Sequence, residues 1–194
     1  MKSYDLNGSV RTIAERSSEQ TKALKAMRKN NQVPCVLYGG ENNVNFCVNY
    51  ADLRKLVYSP DIHYVNLTID GKAYTAIVRE IQFHPVKDTI LHMDFLEIND
   101  KKPIVMEVPL KLAGLAVGVK AGGKMRQLMR TLKVKAIYTN IPETLSIDVT
   151  DMGLGKAKKI ADLSYENLEL VDPKTAVVCM VAATRQSKDA AAQS

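Results

Sequence analysis

Apolar residues in this chain recur at every second position, in short runs that turn residues cut off before they can lengthen. Val44, Phe46 and Val48 alternate, then Val65, Leu67 and Ile69, then Ile104, Met106, Val108, Leu110 and Leu112. A period of two sends one face of a strand into a core and the other toward water. Asp70 and Gly71 follow Ile69 and predict a two-residue hairpin turn, with the chain returning as a strand from Ala73 to Phe83. In the first half of the chain, helical patterning is confined to two stretches. The first takes Ser17 or Ser18 as N-cap, carries Leu24 and Met27 on one face, and ends at Asn30, Asn31 and Pro34. The second is capped by Asn49, runs through Asp52, Leu53, Leu56 and Val57, and stops at Ser59-Pro60. Many short strands with few helices predict a mostly β chain. Residues 1–98 are expected to form an antiparallel β-barrel with two helices, and 99–103 a polar linker. Residues 104–185 are expected to form a second, mostly β domain, and 186–194 a flexible tail.

The same residues exclude several function classes. No apolar run nears the ~18 residues of a membrane span, and the start, Met1 to Asp5, has no apolar signal core. A cytoplasmic protein with no membrane partner is expected. Cys35, Cys47 and Cys179 are far apart and form no CxxC pair, so all three read as buried, reduced thiols. Gly153-Leu154-Gly155-Lys156-Ala157 lacks the spacing of a phosphate loop, and Ala157 replaces its metal-binding hydroxyl. No serine sits in a GxSxG elbow. The chain therefore reads as a non-enzyme, with no cofactor, no metal and no small-molecule substrate.

Charge points to a polyanion. The net charge is +6, and six basic residues between Val10 and Lys29 face only Glu15 and Glu19. In the first helix Lys22, Lys25 and Lys29 follow at spacings of three and four, with Arg28 beside them, which suits a phosphate backbone. The segment from Gln82 to Phe95 reads as strand, turn, strand. In its second strand His92 and Asp94 alternate with Leu91, Met93 and Phe95, so the two polar residues share an outer face while the other three enter the core. Gln82, His92 and Asp94 can hydrogen-bond base edges or ribose hydroxyls, which a sheet face reaches in a wide minor groove. A metal triad of His84, His92 and Asp94 has no familiar spacing. His84 beside Pro85 suits a structural place at the turn, and His63 suits a rim histidine satisfied by a backbone group. Further on, seven basic residues and no acidic one lie between Lys111 and Lys135. Residues 125–130 fit helix or strand; a helix would put Arg126 and Arg130 on one face.

With these residues in view, the chain resembles a known family. Arg11, the run Val33-Pro34-Cys35-Val36-Leu37-Tyr38-Gly39-Gly40 and the run from Gln82 to Leu96 resemble the bacterial large-subunit ribosomal protein number twenty-five. This is the 5S rRNA-binding family that includes the general stress protein CTC. Val108-Pro109, the run from Gly114 to Gly123, Asn140-Ile141-Pro142-Glu143 and Ile147-Asp148-Val149 resemble the C-terminal β domain of its long form. The resemblance implies a barrel bound to the loop E region of 5S rRNA in the central protuberance, with neighbouring rRNA and ribosomal proteins as further partners. It implies RNA contacts at Arg11, Arg28, Tyr38, Arg79, Gln82, His92 and Asp94, to which the helix charges add Lys22 and Lys25. Lys120, Lys124, Arg126 and Arg130 are candidates for a secondary contact with rRNA or protein. The alternative is a stress-response RNA-binding or protein-interaction module working off the ribosome.

Overall fold

Leu6, Phe46, Leu67 and Phe95 come from four separate strands and are all essentially without solvent contact, so the strands that carry them must curl around one another. In the computed structural model, which describes residues 1–11, 18–40, 42–59, 61–99 and 102–184, they do so as a closed barrel. The first unit runs β1 (Lys2–Val10), α1 (Ser18–Lys29), β2 (Gln32–Tyr38), β3 (Val44–Asn49), α2 (Tyr50–Val57), β4 (His63–Ile69), β5 (Lys72–Phe83) and β6 (Ile90–Glu97). Around the barrel the order is β1-β3-β2-β6-β5-β4. Its seams are not all antiparallel: β1 pairs parallel with β4, and β2 parallel with β6. Alternation reports which residues face inward and is blind to strand direction, so the sequence could not show these two seams.

β1 itself was invisible to that alternation. Of its nine residues only Leu6 is buried, because the strand offers the core little else. Gly8 points inward where the Phe46 ring lies; a Cβ there would stand 2.7 Å from Phe46 Cδ2. Phe46 in turn packs at 5.6 Å, ring centre to ring centre, against Phe95. The Asp70-Gly71 turn has positive φ at both residues, 46° and 84°, and joins β4 to β5 with Ile69 opposite Lys72. These dihedrals match the twist of a two-residue hairpin. Asn49 caps α2, its side chain accepting from the Ala51 N–H. Burial of Leu53 and Leu56 then fixes that helix to the core. α1 packs against β2. Pro34, which points outward on β2, is buried. The expected cap at Ser17, the side chain of Ser18 and the expected tail at 186–194 lie outside the described residues.

The chain divides into two compact units, Met1–Lys102 and Pro103–Ser194. The second contains β7 (Ile104–Ala113), α3 (Val117–Lys120), β8 (Lys124–Gln127), β9 (Thr131–Ala136), β10 (Leu145–Asp148), β11 (Ala157–Lys159), β12 (Glu169–Leu170) and β13 (Val177–Ala182). Two sheets form, ordered β10-β7-β9-β12 and β11-β13-β8. Leu132, Val134 and Ala136 of β9 and Leu145 and Ile147 of β10 supply buried faces, with exposed residues between them. The segment read as ambiguous is a strand: β8 pairs with β13, Arg126 opposite Met180. Arg126 and Arg130 therefore do not share a helical face. All three cysteines are buried free thiols. No helix among the described residues is long and apolar enough to cross a membrane.

Candidate nucleic-acid interface

The outer surface of the barrel beside α1 can be read from strand register. Val33, Cys35 and Leu37 of β2 enter the core, as do Met93 and Phe95 of β6. The alternate residues therefore face out. Cys35 pairs with Met93 and Val36 with Asp94, while Asp94 pairs with Glu80 and His92 with Gln82. On the other side of β2, Val36 pairs with Asn45 of β3. Arg11 follows β1 and donates its backbone N–H to the Asn45 carbonyl. One lateral row thus runs from Arg11 and Asn45 through Val36 to Asp94 and Glu80. The neighbouring row carries His92 and Gln82. Tyr38, two residues beyond Val36, lies on the same outer face.

His92 and Asp94 meet directly, Nδ1 to Oδ1 at 2.8 Å, with about a quarter of each side chain exposed, 24% and 28%. With Nδ1–H donating to the carboxylate, Nε2 is the free hydrogen-bonding atom of the ring. Asp94 keeps its second oxygen as an acceptor. Glu80 opposite adds another carboxylate, so this spot repels phosphate and suits groups that donate, such as amino groups and hydroxyls. Gln82 is exposed beside it and offers both a donor and an acceptor. Burial pushes the Cys35 thiol beneath up to about 12, and Arg11 and Asp94 both act on it electrostatically, in opposite senses. Arg11 Nε is itself buried, with no hydrogen-bond partner among the described residues.

Two bulges shape the hairpin. Arg79 is the extra residue between the Val78–Phe95 and Glu80–Asp94 pairs, and Leu91 the extra residue between Gln82–His92 and Phe83–Ile90. The second corrects the sequence reading: Ile90, not Leu91, is buried. A bulge consumes one residue without a partner and reverses the expected alternation beyond it. The Leu91 carbonyl accepts from Arg28 Nη2 at 3.2 Å, which ties α1 to β6. Arg28 is thus a strut as well as a surface charge. Lys22 and Lys25 are exposed on α1. Lys25, Arg28 and Lys29 face Lys87 and His84 across a groove of about 600 Å³ floored by Val33, Ile90 and Leu91. Lys87 was not among the sequence candidates; its nearness to the helix depends on the tertiary fold.

The other histidines are separated from this pair. His84 Nδ1 accepts from the backbone N–H of Val86 and Lys87, so it braces the β5–β6 turn. His63 packs edge-on against Tyr4, with ring centres 6.1 Å apart. Its buried Nδ1 has no partner among the described residues, where a backbone bond was expected.

In the second unit, Lys120, Lys124, Arg126 and Arg130 are exposed. The run from Lys111 to Lys135 is free of acid only in sequence. Lys135 Nζ lies 3.0 Å from Glu169 and Lys133 Nζ 3.8 Å from Glu107, because β12 and β7 flank β9. The basic surface there is narrower than the sequence suggested.

Comparison with known proteins agrees across the chain. Residues 10–95 match the Ribosomal L25p family, and residues 103–185 match the description Ribosomal protein TL5, C-terminal domain. The chain is 60% identical over 192 residues to the large ribosomal subunit protein bL25 of Bacteroides fragilis, covering 99% of this chain and 98% of that one. It is 54% identical over 193 residues to the bL25 of Parabacteroides distasonis, with full coverage of both chains, 100% and 100%. With the bL25 of Porphyromonas gingivalis the identity is 51%, over 98% of each chain.

Proposed function

The chain belongs to the ribosomal L25p family, and we propose that, within the large ribosomal subunit for which its relatives are named, it binds 5S rRNA at the loop E region in the central protuberance. It is a structural ribosomal protein and not an enzyme, associated with the ribosome in the cytoplasm. The observation that supports the RNA reading is the division of charge around α1. Lys25, Arg28, Lys29 and Lys87 line one groove, while His92, Asp94 and Gln82 form an outer patch beside it with no lysine or arginine among them. Cations serve the phosphate backbone and contribute affinity; the patch meets groups that donate and accept, and contributes selectivity. Asp94 and Glu80 would be a liability against phosphate. They are useful against amino groups of bases or ribose hydroxyls in a wide minor groove.

A gel-shift titration with a loop E fragment and a plain RNA duplex of equal length tests this. Preference for loop E at moderate salt is the expected result; equal binding to both would refute the reading. His92→Ala and Asp94→Ala should lower the preference. Lys25→Ala should weaken both RNAs alike and reduce the salt slope by about one.

A further inference from the structure

β2 lies under α1 and divides the barrel's outer face: β6 and β5 follow on one side, β3 and β1 on the other. The β6 side carries His92 and the groove lined by Lys25, Arg28, Lys29 and Lys87. The β3 side is different in kind. A concavity of about 320 Å³ lies there, walled by Asn7 and Ser9 of β1, Asn49 and Cys47 of β3, Asn30 just past α1, and Gln32 of β2, which also borders the cationic groove. Among the described residues, no charged side chain lines it. The register accounts for the gathering: Asn49 pairs with Gln32, Cys47 with Pro34, and Ser9 with Cys47. Continuing the last pairing brings Asn7 toward Asn49.

Asn7, Asn30, Gln32 and Asn49 are all exposed. Asn49 uses its Oδ1 to cap α2 and keeps its amide donors. Among the described residues the side chains of Asn7, Asn30 and Gln32 make no hydrogen bond within the protein, so none of them is needed to hold the fold. Each offers both donors and acceptors. With no cation among its described lining residues, the pocket has little to offer a phosphate. Its chemistry matches ribose 2′-hydroxyls and base edges, which need a donor and an acceptor at once.

We propose that RNA gripped by α1 is read on both flanks of the helix, and that this amide concavity takes the ribose and base edge of a nucleotide on the β1–β3 side. The inference rests on the RNA reading above and deepens it: Asn7 and Asn30 become specificity residues that carry little of the affinity for plain duplex.

The test uses the full chain with Asn7→Ala and Asn30→Ala combined, titrated against the loop E fragment and the plain duplex. Discrimination should fall about tenfold, the equivalent of a single good polar contact, with an unchanged salt slope. A second variant, Asn7→Asp, places a carboxylate in the concavity and should weaken loop E binding further. Thermal melting of both variants should match the parent, since both positions are exposed. Single 2′-deoxy substitutions through the RNA add an independent arm. At least one should weaken the parent protein and leave the double variant indifferent. Unchanged discrimination by the double variant, in a protein whose His92→Ala variant loses it, overturns this inference alone. If the parent protein shows no preference for loop E, the RNA reading itself falls.

Discussion

At Gly8 the absence of a side chain is what lets β1 lie against Phe46. Alanine there would meet a fully buried ring with no room to retreat, since Phe95 backs it. Gly8→Ala should therefore destabilise the barrel by about 1–3 kcal/mol, the usual range for overpacking, read as a lower midpoint in urea unfolding. An unchanged midpoint would mean that β1 can shift outward. The thiols make a second residue-scale prediction. Burial raises the titration of both Cys35, to about 12, and Cys179. Their stability contribution is thus flat at neutral pH, because both thiols stay protonated folded or unfolded. Their reactivity is not flat: iodoacetamide at pH 8 should leave both unmodified in the native protein and label them on unfolding. Mass mapping that found fast native labelling of Cys35 would contradict its burial.

At the scale of elements, the two helices are held by different means. α2 depends on its cap, and Asn49→Ala should cost about 1 kcal/mol, seen as a reduced denaturant midpoint. α1 depends on a tether to a bulge, from Arg28 to the Leu91 carbonyl. Arg28→Ala should speed amide exchange across α1 while β2 and β6 stay protected; unchanged protection of α1 would remove the tether from the account. The bulge also explains a specific sequence error. Period-two reading put Leu91 in the core, yet the register slips at that residue and Ile90 takes the place. Nothing local marks the slip, because both residues are aliphatic. Asn49, Asp70-Gly71 and the alternation in β3, β4 and β7 were legible because their causes are local: a cap, a turn dihedral, a buried face. β1 was not legible, since one buried leucine in nine residues makes no pattern. α3 was missed because glycines mask a single helical turn.

For the whole molecule, the division at Lys102 and Pro103 predicts that residues 1–102 form a barrel without the rest. A chain ending at Lys102 should melt cooperatively and shift loop E RNA as well as the full chain does. A non-cooperative melt would show that the barrel needs the second unit. Lost RNA binding by a folded fragment would move part of the interface to the second unit, where Lys120, Lys124, Arg126 and Arg130 remain exposed candidates. The sequence by itself determined the class of strand-rich fold, the two barrel helices, the basic face of α1 and the pairing of His92 with Asp94 on one side of a strand. Each follows from periodicity or near-neighbour spacing, which the chain carries locally. Only the tertiary structure decided the rest: the parallel closure of β1 on β4, the approach of Lys87 to α1, the neutralisation of Lys133 and Lys135, and the gathering of Asn7, Gln32 and Asn49. Those depend on strand order and register around a closed barrel or across a sheet, and contacts between residues tens of positions apart leave no mark in the spacing of either partner.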